Sequence, residues 1–473
     1  MTTVTTTPQA QTLPVERTIE IPLVDWGSLA LRAGRIAPVL PHMAWMLRFR
    51  DAIDEPTLAA EARRMAAAPY GLGRRIAPPR LPGGRHRWRQ ESRAPAVAFA
   101  PRALTGPDAL SAWLDRELGV PLDPEHDAGW RIAAAPESGG GTVVLVIAHH
   151  LFGTGGGLLN ALYGDSHVDP TVGTTEARFS AANHFTLRRE ARGVAERVGL
   201  GLLGAARLAR TLPQAASERK RGRGAAAAAP PPLRAPRGLD RTRQPPSSLR
   251  VAAVATLEAA AWDEAAARRD GTGNTLLAAV AANLLRRARI ARGGQRDRTM
   301  RLLLPVDLTD RDVERVAQRS SGPAPAMTTA EVVVEGDAPA YGELGTLRAR
   351  MKAAFTADSG SVPTVRGAGD VMRLLPEPLT FRAAARAALR FDGCASNVGR
   401  VPAGMSLLGP HEADDMAMLG FPIGNEALAC LIRYRDQVGV SVVTDPLRLG
   451  PAANLRAWLS EELSAWGLPE GVW

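Results

Sequence analysis

The chain has 473 residues, of which 45% are hydrophobic and 22% charged, a composition typical of a soluble globular protein. At roughly 150 residues per domain, this length allows two or three domains. The only cysteines, Cys394 and Cys430, exclude a disulfide scaffold and a four-cysteine zinc site, and they suit a reducing cytosol. Because the sequence shows no signal peptide and no run of ~20 apolar residues, we expect a cytoplasmic protein without a spanning helix.

The net charge of +10 is concentrated in one segment of the chain. Between Leu187 and Arg250, 15 Lys and Arg residues stand against 4 Asp and Glu residues, so the rest of the chain is nearly neutral. The segment has no aromatic residue to stack on bases, which argues against nucleic-acid binding. It is either a solvated helix face with a disordered loop, or a docking surface for an acidic carrier protein or an anionic membrane.

The N-terminal half alternates between predicted helices and strands. Apolar spacing predicts an amphipathic helix over 107–118, whose buried face is formed by Leu110, Trp113, Leu114 and Leu118. A strand from Trp130 leads into a second strand, which is rich in β-branched residues and ends at His149 and His150. A glycine-rich turn follows. Further along, periodicity predicts a helix over 188–210, with arginines opposite an apolar side formed by Val194, Val198, Leu202 and Leu203.

The C-terminal half contains the same kinds of element. A long apolar helix is predicted over 275–292, with Asn274 or Thr275 as its N-cap. Segments 413–421, 427–434 and 439–444 alternate like an antiparallel meander. Both halves mix helices with hairpin-linked strands, which favours α/β sandwiches with mixed or antiparallel sheets over a doubly wound parallel sheet.

Composition divides the chain into four parts. Residues 1–17 are predicted to be a disordered tail, and the Arg-, Ala- and Pro-rich stretch 216–247 is predicted to be a linker. These segments leave an N-terminal lobe over 18–215 and a C-terminal lobe over 248–473.

The adjacent histidines are the strongest candidates for chemistry. A strand that ends at a histidine holds the imidazole rigidly at the mouth of a turn, where a general base is best placed. Neighbouring residues of a strand point to opposite faces, so one of His149 and His150 can serve chemistry while the other packs. The commoner alternative for a lone histidine at a strand end is a structural role.

Other readings of this segment fit less well. The run Gly153-Thr-Gly-Gly-Gly lacks the Gly-Lys-Ser/Thr of a phosphate-binding loop, and Leu158 stands where a dinucleotide fold has its third glycine. Adjacent histidines of a regular strand cannot face one metal ion, and the sequence contains neither His-Glu-x-x-His nor Gly-x-Ser-x-Gly. We therefore expect no metal and no cofactor.

Several motifs occur in a fixed order along the chain. They are Pro121-Leu-Asp-Pro before Trp130-Arg, His149-His150-Leu151-Phe152-Gly153-Thr154-Gly155, Gly273-Asn-Thr-Leu-Leu, Leu304-Pro-Val-Asp-Leu and Ser396-Asn-Val-Gly-Arg-Val-Pro. Together they resemble the condensation-domain and acyl-CoA-dependent acyltransferase superfamily, whose signature is strand–His-His-x-x-x-Asp-Gly–helix. They point to its bacterial branch, with wax ester synthase/diacylglycerol acyltransferases and polyketide-associated acyltransferases.

The resemblance implies an α/β fold of two chloramphenicol-acetyltransferase-like sandwich lobes in a V-shaped pseudo-dimer, with the histidine in a tunnel between them. It implies His150 as general base, His149 as a structural residue and the Gly155 amide as an oxyanion donor. Ser396 and Asn397 would line the substrate tunnel.

The reaction implied by the resemblance moves an acyl group from a CoA or carrier-protein thioester to a hydroxyl or amine acceptor, in lipid or secondary metabolism. The thioester is a co-substrate, and the acceptor includes lipids, which would place the protein at a membrane surface. The alternative is a catalytically degenerate module that binds a carrier protein or another partner, because altered members of the superfamily can serve in that way.

The sequence departs from the superfamily pattern at two positions. The motif aspartate is replaced by Thr154, and the arginine with which it forms a structural ion pair is replaced by Thr309. Removing one member of a buried ion pair leaves an uncompensated charge, whereas replacing both with neutral groups is often nearly neutral in stability. We therefore expect Thr154 and Thr309 to hydrogen-bond or pack where the ion pair would be.

Installing Thr154→Asp alone should destabilise the protein by about 3–5 kcal/mol, because the new carboxylate would lack its cationic partner. Thermal unfolding measures the effect. A variant that melts at the wild-type temperature would contradict the pairing of Thr154 with Thr309.

Overall fold

A computed structural model describes residues 20–22, 42–67, 72–152 apart from 83, 85 and 92, parts of 186–206, 250–293, 299–307, 327–357, 391–401, 406–421, 426–446 and 452–472 apart from 470. The predicted tail 1–17 and linker 216–247 lie outside these residues. Thr154, Gly155 and Thr309 also lie outside them.

One mixed sheet of five strands has the order β14-β2-β7-β6-β5. Its strands are β2 (His42–Phe49), β5 (Val97–Phe99), β6 (Trp130–Pro136), β7 (Thr142–His149) and β14 (Asp415–Leu419). All neighbours are antiparallel except β5 and β6. The predicted histidine-bearing strand is therefore the central strand of this sheet.

A second sheet of six strands has the order β10-β9-β11-β15-β16-β8. Its strands are β8 (Val251–Glu258), β9 (Met300–Asp307), β10 (Met327–Val334), β11 (Gly393–Arg400), β15 (Ala427–Tyr434) and β16 (Gln437–Thr444). Strand β11 runs parallel to both of its neighbours, and the other pairs are antiparallel. The fold is thus α/β with two mixed sheets, as the sequence predicts.

The remaining strands form two small sheets. Strands β1 (Glu20–Pro22), β4 (Arg87–Gln90) and β3 (Arg74–Ala77) pair in that order, and β12 (Leu407–Leu408) pairs with β13 (His411–Glu412).

Six helices have defined bounds: α1 (Glu55–Ala67), α2 (Gly106–Leu118), α3 (Ala259–Ala267), α4 (Gly273–Ala291), α5 (Gly345–Ala357) and α6 (Ala452–Ala465). Helix α2 matches the predicted helix over 107–118 and buries the predicted face. Helix α4 begins two residues earlier than its predicted start because its N-cap is Thr272, whose hydroxyl accepts the Thr275 N–H in a capping box. The prediction of Asn274 or Thr275 as cap was wrong. No helix within the described part of the chain is long and apolar enough to cross a bilayer.

The predicted antiparallel meander is only partly right. Strands β15 and β16 form a hairpin, but β14 pairs with β2 in the five-stranded sheet. Both faces of β14 are apolar and buried, with Met416 and Met418 in one cluster and Ala417 and Leu419 in another. A strand that can be buried on both faces fits the junction between the two sheets. One strand of the segment 248–473 therefore completes the sheet of the segment 18–215, and the division into lobes at 216–247 stays a prediction.

A buried ion network holds together the first residues of three neighbouring strands in the six-stranded sheet. The Arg289 guanidinium of α4 donates to Asp392 Oδ1 at 2.6 Å and to Glu426 Oε1 at 3.0 Å. These acids directly precede β11 and β15, and Asp392 Oδ2 also accepts the Arg301 N–H of β9 at 2.7 Å. The network ties three parallel strand starts to α4 and so sets the register of β11, which carries Ser396 and Asn397.

Replacing Arg289 with methionine should reduce the free energy of unfolding by about 3–5 kcal/mol, because the buried Asp392 would lose its guanidinium partner and the buried Glu426 would keep only Arg292, at 3.2 Å. Urea unfolding measures this loss. The matched control is Arg268→Met, which removes the exposed ion pair to Glu264 and should cost less than about 1 kcal/mol. Equal losses in the two variants would contradict the structural role assigned to Arg289.

Candidate active site

The strand β7 is held on both edges and both faces. It lies between β2 and β6, and all of its eight residues are buried. Val143, Leu145 and Ile147 pack in the cluster that contains the apolar face of α2. Val144, Val146 and Ala148 pack in the cluster that contains the buried residues of α1. The end of β7 is therefore a rigid point in the molecule.

The two histidines lie on different elements. Strand β7 ends at His149, whose N–H donates to the Gly129 carbonyl at 2.9 Å, and His150 begins a 3-10 turn that extends to Phe152. His149 is 2% exposed, whereas His150 is half-buried. The Leu151 N–H donates to His149 Nδ1 at 3.2 Å. Because Nδ1 accepts this bond, the proton of a neutral His149 ring lies on Nε2.

Phe152, the last residue of the turn, is packed against Arg74 and Gly129. Phe152 is buried, and the Arg74 guanidinium lies 5.8 Å from the centroid of its ring. Gly129 has a φ of +68°, and a Cβ at this position would lie 3.2 Å from the Phe152 ring and 2.8 Å from Pro124. A glycine is required here both by the left-handed backbone and by the close approach of Phe152.

A second buried histidine lies against the first. His42 is directly opposite His149 in the β2–β7 register, and their ring centroids are 6.2 Å apart in an edge-to-face arrangement. Phe421 packs edge-to-face on His42 with a centroid distance of 5.8 Å. Neither ring nitrogen of His42 has a hydrogen-bond partner among the described residues.

Burial keeps both of these imidazoles neutral. It lowers the pKa of His42 to about 3, opposed in part by the Leu118 backbone. Burial also lowers the pKa of His149 well below its usual value, and the neighbouring His42 and His150 add to this effect. A neutral, enclosed His149 that accepts a hydrogen bond from its own turn fits the structural role predicted for it.

The predicted tunnel residues lie on β11. Ser396 is half-buried and Asn397 is exposed, next to a register shift between Asn397 and Gly399. The Asn397 side chain donates to Asn274 Oδ1 in the first turn of α4 and accepts the Gly399 N–H at 2.9 Å. These contacts fix the amide orientation of Asn397.

One apolar cluster connects β11 with the histidine turn. It contains Leu151 and Phe152 of the turn together with Val401, and Val398 packs against it. The described parts of the two motif segments, 149–155 and 396–402, therefore contribute to the same apolar cluster. The roles predicted for His150, Ser396 and Asn397 remain predictions.

Sequence reasoning missed His42, Gly129 and Arg74. The sequence marks His42 only as the first residue of an apolar strand, whereas His149 is the last residue of another. Nothing in the sequence indicates that these two strands pair. Within the described residues, no group of three His, Cys, Asp or Glu side chains is placed to hold a metal ion.

Comparison with known proteins gives a clear result for the fold. No protein-family model and no curated protein matches the chain by sequence. The structure is similar to the wax ester synthase/diacylglycerol acyltransferase from Marinobacter aquaeolei VT8, with a TM-score of 0.56, 14% identity, and coverage of 94% of this chain and 98% of that chain. It is also similar to the condensation domain from the monacolin K polyketide synthase MokA, with a TM-score of 0.52, 14% identity, and coverage of 95% and 97%.

The chain therefore shares the two-sheet α/β fold of this acyltransferase and this condensation domain. This confirms the fold that the ordered motifs predict.

The neutral histidine pair predicts a decline of stability in acid. In the unfolded chain each imidazole titrates near pH 6.5, so His42 and His149 take up protons on unfolding below that pH. The free energy of unfolding should fall as the pH drops below about 6.5, by about 2 kcal/mol per buried histidine at pH 5.

The measurement is the difference between chemical unfolding at pH 7 and at pH 5. His42→Leu should reduce that difference by about 2 kcal/mol, because one of the two groups is gone. The matched control is His126→Asn, which removes only an exposed ion pair to Asp123 and should change the difference by less than about 1 kcal/mol. A His42→Leu variant with the wild-type pH dependence would show that His42 is not held neutral.

Proposed function

We propose that this protein is an acyltransferase that moves an acyl group from a CoA or carrier-protein thioester to a hydroxyl acceptor, or to an amine. The observation that carries this proposal is the position of His150. It begins a turn at the end of a fully buried strand, it is half-buried beside an enclosed neutral histidine, and the fold around it is that of the condensation-domain and acyltransferase superfamily.

In this proposal His150 is the general base. Its imidazole takes the proton of the acceptor hydroxyl as the acceptor oxygen attacks the thioester carbonyl, and a tetrahedral oxyanion forms. The oxyanion then collapses, the C–S bond breaks, and the thiolate receives the proton from His150. General base catalysis of this kind contributes roughly 10²–10⁴-fold to a rate.

The neighbours of His150 hold the turn that carries it. His149 holds the turn through its Nδ1, which accepts the Leu151 N–H. Phe152 anchors the other end of the turn against Gly129 and beneath Arg74. We assign the Gly155 amide to the oxyanion and Ser396 and Asn397 to the substrate tunnel, following the motif resemblance.

The similar proteins bear on the substrates. A wax ester synthase/diacylglycerol acyltransferase favours a hydroxyl acceptor of lipid character. A polyketide synthase condensation domain favours a donor that is bound to a carrier. We propose an acyl thioester as co-substrate and no resident cofactor, in a wider setting of lipid or secondary metabolism.

The second candidate function is a non-catalytic module that binds an acyl carrier protein or another partner. It is favoured by one observation, the replacement of the motif aspartate with Thr154. The two proposals differ in whether His150 carries chemistry.

The test is thiol release from a panel of acyl-CoA and acyl-carrier donors, offered with mixed alcohol and amine acceptors. His150→Ala should lower the rate by about 10²–10⁴-fold on every active substrate. His126→Ala, at an exposed histidine, should keep the wild-type rate. Equal rates for wild type and His150→Ala would reject the assignment of the base. No turnover with any donor, together with tight carrier binding, would favour the module.

A further inference from the structure

The basic segment begins with a helix that exposes an apolar face. The described residues between 187 and 206 are helical. Leu187 is 53% exposed, Val198 is 45% exposed and Leu202 is 62% exposed. Spacings of 11 and 4 residues correspond to about three turns and one turn of a regular helix, so the sequence spacing assigns these three side chains to one face. Val194 completes the stripe and is partly exposed.

The beginning of this helix is attached to the rest of the protein. Glu190 is buried and attaches the beginning of the helix, because its Oε1 accepts the Arg80 N–H at 3.0 Å. Further along, a Cβ placed on Gly193 or on Gly199 would meet no atom within 4 Å. Among the described residues, therefore, nothing covers the helix at these two positions.

The charge of this region is strongly positive. Arg188 and Arg192 lie on the helix, and Arg192 is 3.1 Å from Glu196, which is one of only two acids in 187–206. The sequence over 207–249 adds 10 Lys and Arg residues against 2 acids. Outside the segment 187–250 the chain is nearly neutral, so nearly all of the net positive charge belongs to the segment that contains the exposed aliphatic residues.

We propose that this helix docks on an anionic membrane surface. Leu187, Val198 and Leu202 enter the boundary between headgroups and acyl chains, and the flanking arginines contact anionic headgroups. The proposal does not depend on acyl transfer, since it concerns a surface apart from the histidine turn.

A membrane fits this surface better than an acidic carrier protein does. A stable protein interface buries about 800 Å² on each partner, with a packed apolar core. The stripe offers four aliphatic side chains, and the segment 187–250 has no aromatic residue, the type that most often anchors a protein interface. A bilayer needs no such complementary surface, because amphipathic helices bind it in proportion to buried apolar area and to their attraction for anionic lipid.

The experiment is co-sedimentation of the full chain with lipid vesicles. Phosphatidylcholine vesicles that contain phosphatidylglycerol should bind the protein, whereas pure phosphatidylcholine vesicles should bind it at least tenfold more weakly. Raising the salt concentration should weaken the binding, since the arginine–headgroup attraction is screened.

The decisive variant replaces Leu187, Val198 and Leu202 with serine, and it should bind anionic vesicles at least tenfold more weakly. The matched control is Leu407→Ser with Phe355→Ser, at exposed apolar residues elsewhere, and it should bind as wild type does. Far-UV circular dichroism and thermal unfolding establish that the variants are folded. Should the triple variant fail to fold, Arg188→Gln with Arg192→Gln provides a second test, with about a fivefold loss expected for each arginine.

Three outcomes would overturn the proposal. They are a wild-type protein that ignores anionic vesicles, a folded triple variant that binds them as wild type does, and an arginine variant with undiminished binding. If wild type ignores vesicles but binds an acidic acyl carrier protein through these leucines, the surface is a protein interface.

Discussion

The short strand Asp415–Leu419 joins the two sheets, and the placement of the candidate site depends on it. It pairs with β2 on one edge, while a Cβ on Gly439 of β16 would overlap the Met416 carbonyl oxygen. Ser441 donates to the Met418 carbonyl at 2.5 Å, and Tyr434 accepts the Met416 N–H at 3.0 Å. These contacts hold β14, and with it β2, against the six-stranded sheet. Because β2 is the immediate neighbour of β7, they also fix the histidine turn relative to that sheet.

Both halves of the chain contribute to the apolar cluster that contains the histidine turn. Leu151 and Phe152 belong to this cluster together with Ile432 and Tyr434 of β15 and with Val401, which follows β11. On the opposite face, His149 is enclosed with His42. The Leu118 backbone faces the His42 ring and offsets part of the effect of burial on the pKa of His42.

Local signals predicted those elements whose structure is set locally. The spacing of Leu110, Trp113, Leu114 and Leu118 marks the buried face of α2, and the β-branched run before His149 marks a central strand. The sheet to which β14 belongs was not predictable. Its residues are apolar on both faces, so alternation does not tell which neighbour they pair with. The pairing of His42 with His149 likewise joins residues that are far apart in sequence, and no local pattern predicts it.

The altered motif is best judged by what else supports the turn. In the superfamily pattern an ion pair braces it, and here both positions of that pair are threonine. The turn keeps three other supports: the Gly129 carbonyl on the His149 N–H, the His149 ring on the Leu151 N–H, and the packing of Phe152 beneath Arg74. A general base needs a fixed position, and these contacts provide one without the ion pair. The loss of the ion pair at Thr154 and Thr309 therefore does not by itself favour the binding module.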